Sequence, residues 1–448
     1  MFALKLSLSA CLCLISSAGA QTVLVEAESF ANPSGWVVDQ QFMDQVGSPF
    51  LMAHGLGVPC EDATKEVVFP ETGVWRVWVR TRNWVYKKQR VVDAEDNISL
   101  FLSTHAFRVE MNGNKISAVV AKDIRTSEEL RFSARFFADC TGDATIGYLA
   151  GADYRMGREC RADTGESLAP EKADTMTMGA TVMWRSRLSA GPTSFPECPW
   201  AIRFNERNAR RTTKAEWSWE TGMNLNQITD FEQIRDHGLR AAFGNWDFVK
   251  NKSRDREAFA ERGLEWVAYI SGNRESRRLL GDVILKEQDI LGRREFPDAS
   301  VTCTWSIDLH YPDPKNTEDF PGAEFLSIAV HKRYKPGYPI PYRCFYSRNI
   351  ENLFMAGRDI SVTHVALGTV RVMRTTGMMG EVVGMAASIC KDWNSTPRGV
   401  YQDHLDKLKT LMRKGIGPRP LRHLHLHLRP SRPHGLIRRE RTLLAPRG

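Results

Sequence analysis

Two stretches of the chain combine residue types and spacings that can do chemistry. The first, Ala138–Gly147, reads ADCTGDATIG: an apolar strand end, then Thr141-Gly142-Asp143, then the start of a helical run. A glycine there lets the backbone approach a ligand, a helix start favours an anion, and Asp143 suits a first helical turn. An N-capped strand-to-helix turn that binds nothing would read the same way. The second stretch, NLFMAGRDISVTHVALGTVRVMRTTGMMGEVVGMAASIC, places a strand at 353–356 before Gly357-Arg358-Asp359. A loop with His364 follows, and a helix is predicted from near Gly368-Thr369, carrying Arg371. Gly377, Gly380 and Gly384 give that helix a smooth face. Each internal glycine costs up to about 1 kcal/mol relative to alanine, so three predict a close contact there. An imidazole can move a proton near neutral pH, and a guanidinium can stabilise a developing anion. A hydrogen-bonded structural role accounts for His364 equally well.

The elements that must position these residues can be read along the chain. Residues 22–86 have a β pattern, with Trp75, Val77 and Val79 on one side of a strand and Arg76, Trp78, Arg80, Arg82 and Trp84 on the other. Residues 98–142 read as a meander with an Asn112-Gly113 hairpin turn, and its last run is expected to be buried on both faces. Residues 150–340 are Trp-rich and mostly helical in pattern, as in LEWVAYISGNRESRRLLGDVILKEQDIL, and 350–392 return to strand–turn–helix. Asp308 and His310 are weaker candidates on the substrate side, whereas Arg274, Arg277 and Arg278 read as structural ion-pair formers.

Composition excludes several classes. The net charge of +8 is concentrated in residues 416–448, where eight Arg and one Glu give +7 and leave about +1 for the rest. A nearly neutral body gives no case for nucleic acid. The nine Cys form no C-x-x-C pair, which argues against zinc or iron–sulfur sites and against a dense disulfide framework. The tail's His423, His425 and His427 could form a metal comb, but chance composition explains them better. MFALKLSLSACLCLISSAGA has the pattern of a signal peptide cleaved before Gln21, so a periplasmic or secreted location is expected, with no stable membrane span.

Together ADCTGDATIGYLAGADYRMGRE, ISGNRESRRLLGDVIL with TWSIDLHYP, and IENLFMAGRDISVTHVALGTVRVMRTTGMMGEVVGMAA resemble the FAD-dependent oxidoreductases of the glutathione-reductase-like superfamily. They are similar in particular to relatives of the flavoprotein subunit of heterodisulfide reductase. The resemblance covers roughly residues 95–412. It implies FAD as cofactor and hydride transfer at the flavin on a small, sugar-derived substrate. It also implies cofactor contacts from Thr141, Gly142, Asp143, Gly357, Arg358, Asp359, Gly368 and Thr369, with His364 and Arg371 in catalytic places. The opening VEAESF and the strand VWVRTRNW resemble β-sandwich carbohydrate-binding modules, with Glu26 and Glu28 at cation-holding positions. A sandwich piece with no ligand is the alternative.

The chain departs from the family in one respect. A G-x-G-x-x-G turn should follow the first strand, yet the only G-x-G matches are Gly55-Leu56-Gly57 and Gly415-Ile416-Gly417, neither in a βαβ setting. The text passes abruptly at 85–96 from sandwich-like strand to flavoprotein meander. The expected fold is therefore α/β: an incomplete FAD/NAD(P)-binding fold with a mixed substrate domain and a partial N-terminal β-sandwich. Its segments are a signal peptide (1–20), the partial sandwich (21–90), the meander and TGD motif (91–150) and a substrate domain (151–345). A C-terminal FAD-binding strand–helix (346–412) and a disordered basic tail (413–448) complete the plan. Two alternatives stay open, a non-catalytic truncated flavoprotein remnant and an exported carbohydrate-binding protein. Oligomeric state is not legible.

Overall fold

The computed structural model describes residues 97–335 and 337–415, residues 30 and 95, and backbone strands between 3 and 80. Those N-terminal strands pair antiparallel in small sheets: Cys11–Ser16 lies between Thr22–Val25 and Trp75–Arg80, and Ala3–Ser7 pairs with Thr64–Val68. Glu26, Glu28, the 85–94 part of the junction and the tail beyond Gly415 lie outside the described residues. Gly55–Gly57 do so as well, while Gly415 closes the helix Leu405–Lys414, which runs into the segment expected to be disordered from 413.

The predicted meander is present. Thr104–Asn112, Lys115–Asp123 and Glu129–Ser133 form one antiparallel sheet with Lys115–Asp123 in the middle. Asn112 pairs with Lys115 across the turn, where Gly113 takes a φ of 59° that glycine adopts without strain. The short strand Phe137–Asp139 leaves this sheet and runs parallel to Leu353–Met355, with Asp139 opposite Met355. The two stretches singled out by their chemistry are therefore neighbours. Contrary to expectation, Phe137–Asp139 is not buried throughout: Ala138 is exposed, because Leu353–Met355 is its one ladder partner among the described residues.

The region 150–340 is a correction. Its one long α-helix is Phe231–Asp247; most of the rest is short antiparallel pieces and loops. Within LEWVAYISGNRESRRLLGDVILKEQDIL, Arg262–Val267 continues as strand and only Glu287–Leu291 is helical. The apolar spacing suggested a helix, but Arg278 and Leu279 pair as a strand with Tyr154 and Arg155, and the Arg278 side chain is fully buried among carboxylates. One core joins Leu353, Phe354 and Met355 to Ile360, Val362, Leu367, Met379 and the buried Tyr338 and Tyr342. A second packs Trp184, Trp219 and Trp246 against Phe325. Core packing is thus where these three tryptophans serve. Among the described residues no helix is long and apolar enough to cross a membrane.

Candidate functional site

The parallel pairing stacks the turn Thr141–Asp143 on the turn Gly357–Asp359, and the Ala356 N–H donates to the Asp139 carbonyl (3.0 Å). Asp139, fully buried, shapes the first turn: its carboxylate accepts from the Thr141 N–H (3.0 Å) and hydroxyl (2.7 Å) and from the Gly147 N–H (2.8 Å). Gly142 has a φ of 75°, and a Cβ there would overlap the Arg358 guanidinium lying across it. Arg358 Nη2 donates to Asp143 Oδ1 (2.5 Å), which also accepts from Ser276 (2.6 Å) and Asn273 (3.1 Å). Asp143 therefore clasps the two turns together rather than opening a helix. The helix Thr145–Leu149 starts after Ala144, whose own φ is 54°.

Asp359 is different in kind. Its side chain is fully buried, and neither carboxyl oxygen has a partner among the described residues. Burial, reinforced by the neighbouring Asp139 charge, pushes its pKa well above the usual carboxylate range. A buried polar group without a partner is costly and calls for a hydrogen-bonding ligand or water.

The helix expected from Gly368-Thr369 begins earlier. It spans His364–Val370, capped by Thr363, whose hydroxyl accepts from the Ala366 N–H (3.2 Å) and donates to Glu166 (2.6 Å). Thr363 brings a side-chain oxygen to an unpaired backbone N–H of the first turn, which Gly368 cannot, and that was the signal missed. Gly368 and Thr369 consequently sit inside the helix. A Cβ on Gly368 would come within 2.8 Å of the Asp308 N, so this glycine lets the helix lie on the strand Ile307–Pro312. The Thr369 hydroxyl donates to the Trp305 carbonyl and contacts the Tyr334 hydroxyl (2.7 Å). Gly377, Gly380 and Gly384 lie on the next helix, Met373–Asp392, but they are exposed and face open space among the described residues.

A buried ionic network holds each end of His364–Val370. At the start, His364 is 2% exposed; its N–H donates to Glu159 (2.9 Å), and its Nδ1 lies 2.9 Å from both Glu275 oxygens. Arg278 bridges Glu275 and Glu159 and also donates to the Gly157 carbonyl (2.7 Å). Burial works against the Glu275 charge, but His364 and Arg278 outweigh it and hold its pKa below the ordinary value. The His364 Nε2 is buried and has no partner among the described residues. At the other end, Arg371 Nη2 donates to the Asp308 carbonyl (3.2 Å) and lies 3.4 Å from its carboxylate. His310 lies 3.3 Å from Asp308 through Nε2 and 2.6 Å from Glu220 through Nδ1. Burial raises the Asp308 pKa, but the His310 hydrogen bond and the Arg371 charge outweigh it and bring it to about 2. For His310 burial favours the neutral form, yet Asp308 and Glu220 outweigh it and raise its pKa.

Asp308 and His310 thus join Arg371, as sequence allowed, while Glu220, Glu159 and Asp139 went unrecognised. Arg274 and Arg278 are ion-pair formers as expected, the former 3.6 Å from Glu220. Arg277 instead stacks 3.7 Å from the Tyr148 ring centre. No disulfide joins Cys140, Cys160, Cys198, Cys303, Cys344 and Cys390, and no group of metal-ligating side chains forms among the described residues.

Glycine turns at the carboxyl ends of neighbouring parallel strands are where α/β proteins bind nucleotide cofactors, and the turns after Asp139 and Met355 stand there. A family model described as FAD dependent oxidoreductase matches residues 59–412, and the chain belongs to that family. The match begins inside the segment assigned to a β-sandwich. Searches among curated proteins and among solved structures returned no match. The family implies FAD and a flavin oxidoreductase activity on a small molecule. The residues present fit that cofactor at the stacked turns: Asp359 offers a buried carboxyl, with neither oxygen bonded among the described residues, to a hydroxyl-bearing ligand, and the lack of a side chain on Gly357 leaves room beside it.

Proposed function

We infer that the chain is an exported FAD-dependent oxidoreductase of the glutathione-reductase-like type, akin to the heterodisulfide reductase flavoprotein, acting on a small, sugar-derived substrate. The observation that carries this reading is the stacking of Thr141–Asp143 on Gly357–Asp359 around the unpartnered Asp359 carboxyl. Asp359 accepts a hydrogen bond from a ribityl hydroxyl of the cofactor or, protonated, donates to a pyrophosphate oxygen, while the Arg358–Asp143 clasp keeps the turns together. Bound FAD supplies the hydride-accepting ring. His364, oriented through Nδ1 by Glu275, receives the substrate proton at Nε2. Arg371 stabilises negative charge on substrate or reduced ring. The signal-like first twenty residues support a periplasmic or secreted location.

The absence of a credible G-x-G-x-x-G turn from the sequence favours a second reading, a flavoprotein remnant that performs no catalysis. Incubation with FAD followed by gel filtration separates them. Retained visible flavin absorbance that bleaches on adding a sugar alcohol or aldose supports the oxidoreductase, and loss of all flavin on the column supports the remnant. Fractionation of expressing cells tests export, with protein confined to the cytoplasm refuting it.

A further inference from the structure

Trp184, Trp219 and Trp246 pack in the core, but Trp217 stands 49% exposed beside the candidate site. It is held in place. Its carbonyl accepts from Arg274 (3.1 Å) and from the Thr181 hydroxyl (3.3 Å), and its ring meets that of His310 edge-on, with centroids 5.5 Å apart. Trp217 forms part of the wall of an open cavity of about 390 Å³, within the roughly 300–1,000 Å³ of small-molecule sites. The charged residues of that wall form two pairs: Lys214 Nζ lies 2.6 Å from Glu216, and Arg210 lies 3.9 Å from Asp313. Two cations and two carboxylates leave the wall without net charge. Ser327, also in the wall, donates its hydroxyl to Glu220 (2.7 Å), which lies 2.6 Å from His310, so the cavity adjoins the Asp308–His310 cluster. An anion or a cation gains little from a wall whose charges cancel, and an apolar ligand would strip water from four charged groups without replacing it. A hydroxyl can donate to one member of a pair and accept from the other. The C–H bonds on the face of a sugar ring carry weak positive charge and suit the negative face of an indole.

We propose that this cavity is a sugar subsite, in which Trp217 stacks on a neutral pyranose unit of the substrate next to the unit that reacts. The proposal rests on the reading of the substrate as sugar-derived and deepens it: the substrate carries a second ring and is a glycoside rather than a free aldose. Trp217 selects that substrate and takes no part in moving the proton or the hydride.

Calorimetric titration of the full chain with methyl glucoside, cellobiose and maltose, and with glycerol as an acyclic control, tests the subsite with or without FAD. Saturable binding of a pyranoside is expected, with none for glycerol. Affinity should fall about tenfold in Trp217→Ala and return in large part in Trp217→Phe, which keeps a ring for stacking and guards against a folding defect. Trp393→Phe, at a comparably exposed indole outside the cavity wall, should leave affinity unchanged. Glucuronate and glucosamine should bind no more tightly than the neutral sugars, because the wall carries no net charge. In FAD-loaded protein, flavin reduction by a disaccharide should need several-fold higher concentrations in Trp217→Ala, whereas reduction by the matching monosaccharide should not. No saturable binding by any pyranoside, equal losses in Trp393→Phe and Trp217→Ala, or tighter binding of either charged sugar overturns the subsite. An equal shift for disaccharide and monosaccharide overturns the placement of a second ring there. If no flavin is retained, or none is reduced by sugar, the oxidoreductase reading falls while calorimetry still decides this one.

Discussion

Asp359→Asn tests the cofactor assignment through two opposite effects. Asp359 is fully buried beside Asp139, and neither of its oxygens has a partner of good geometry among the described residues. An unsatisfied buried polar group costs about 1–3 kcal/mol. Asparagine keeps the shape, removes the like-charge encounter and can donate towards Asp139. Because the folded-state pKa is raised, the wild-type carboxyl contributes most below its unfolded value of about 3.9 and loses that contribution as pH rises through the folded value. The variant should therefore match wild type near pH 3 and exceed it by about 1–3 kcal/mol at neutral pH, a few degrees in Tm. FAD binding should move the other way. A hydrogen bond to a neutral carboxyl contributes about 0.5–1.5 kcal/mol, so its loss weakens FAD roughly 2- to 10-fold. Thermal melts across pH and flavin fluorescence titration measure both. A variant less stable at neutral pH, or one with unchanged FAD affinity, would refute the assignment of Asp359 to the cofactor.

Gly142→Ala meets both a positive φ and the Arg358 guanidinium, so a loss of about 1–3 kcal/mol is expected by denaturant titration, and an unchanged midpoint would contradict the clasp. Alanine at Gly377, Gly380 and Gly384 meets nothing within 4 Å, and each should stabilise the helix by up to about 1 kcal/mol. Destabilisation there, or lost flavin binding, would reveal an element closing on this face from outside the described residues. His310→Gln removes a group whose pKa is raised by Asp308 and Glu220. The stability His310 contributes is complete below its unfolded value of about 6.5 and fades as pH rises through the folded value, so the variant's deficit should shrink from pH 6 upward. A deficit that grows with pH would show that the sign is wrong.

What sequence made legible was local, and what it concealed was pairing at a distance. Asn112-Gly113 specified its hairpin because turn chemistry resides in the two residues themselves. The TGD and GRD turns were recognisable for the same reason, each being a glycine and an acid at a strand end. Their mutual clasp was not, since Arg358 and Asp143 stand 215 positions apart. The helix start was misjudged by giving Gly368-Thr369 weight over the Thr363 cap, although Gly368 serves contact with the strand Ile307–Pro312. The helical pattern around Arg274–Leu285 failed because Arg278 takes a buried position among carboxylates from distant segments. Periodicity reads a charged residue as solvent-facing, and only its partners, Glu159 and Glu275, overturn that.

The helix His364–Val370 gives these separate clusters a common geometry. Its seven residues span about 10 Å at 1.5 Å per residue, with the orphan imidazole nitrogen at one end and the Arg371 guanidinium just past the other. Each end is tied by a buried ion network, and its middle is pressed onto a strand at Gly368. Isolated helices this short are marginal in water, so tertiary contacts must hold this one. The ionic networks that tune His364 and Arg371 are therefore the same contacts that keep the helix formed. Loss of Glu275 or Asp308 should then disturb charge and position together, whereas changes on the exposed face of Met373–Asp392 should leave both ends in place.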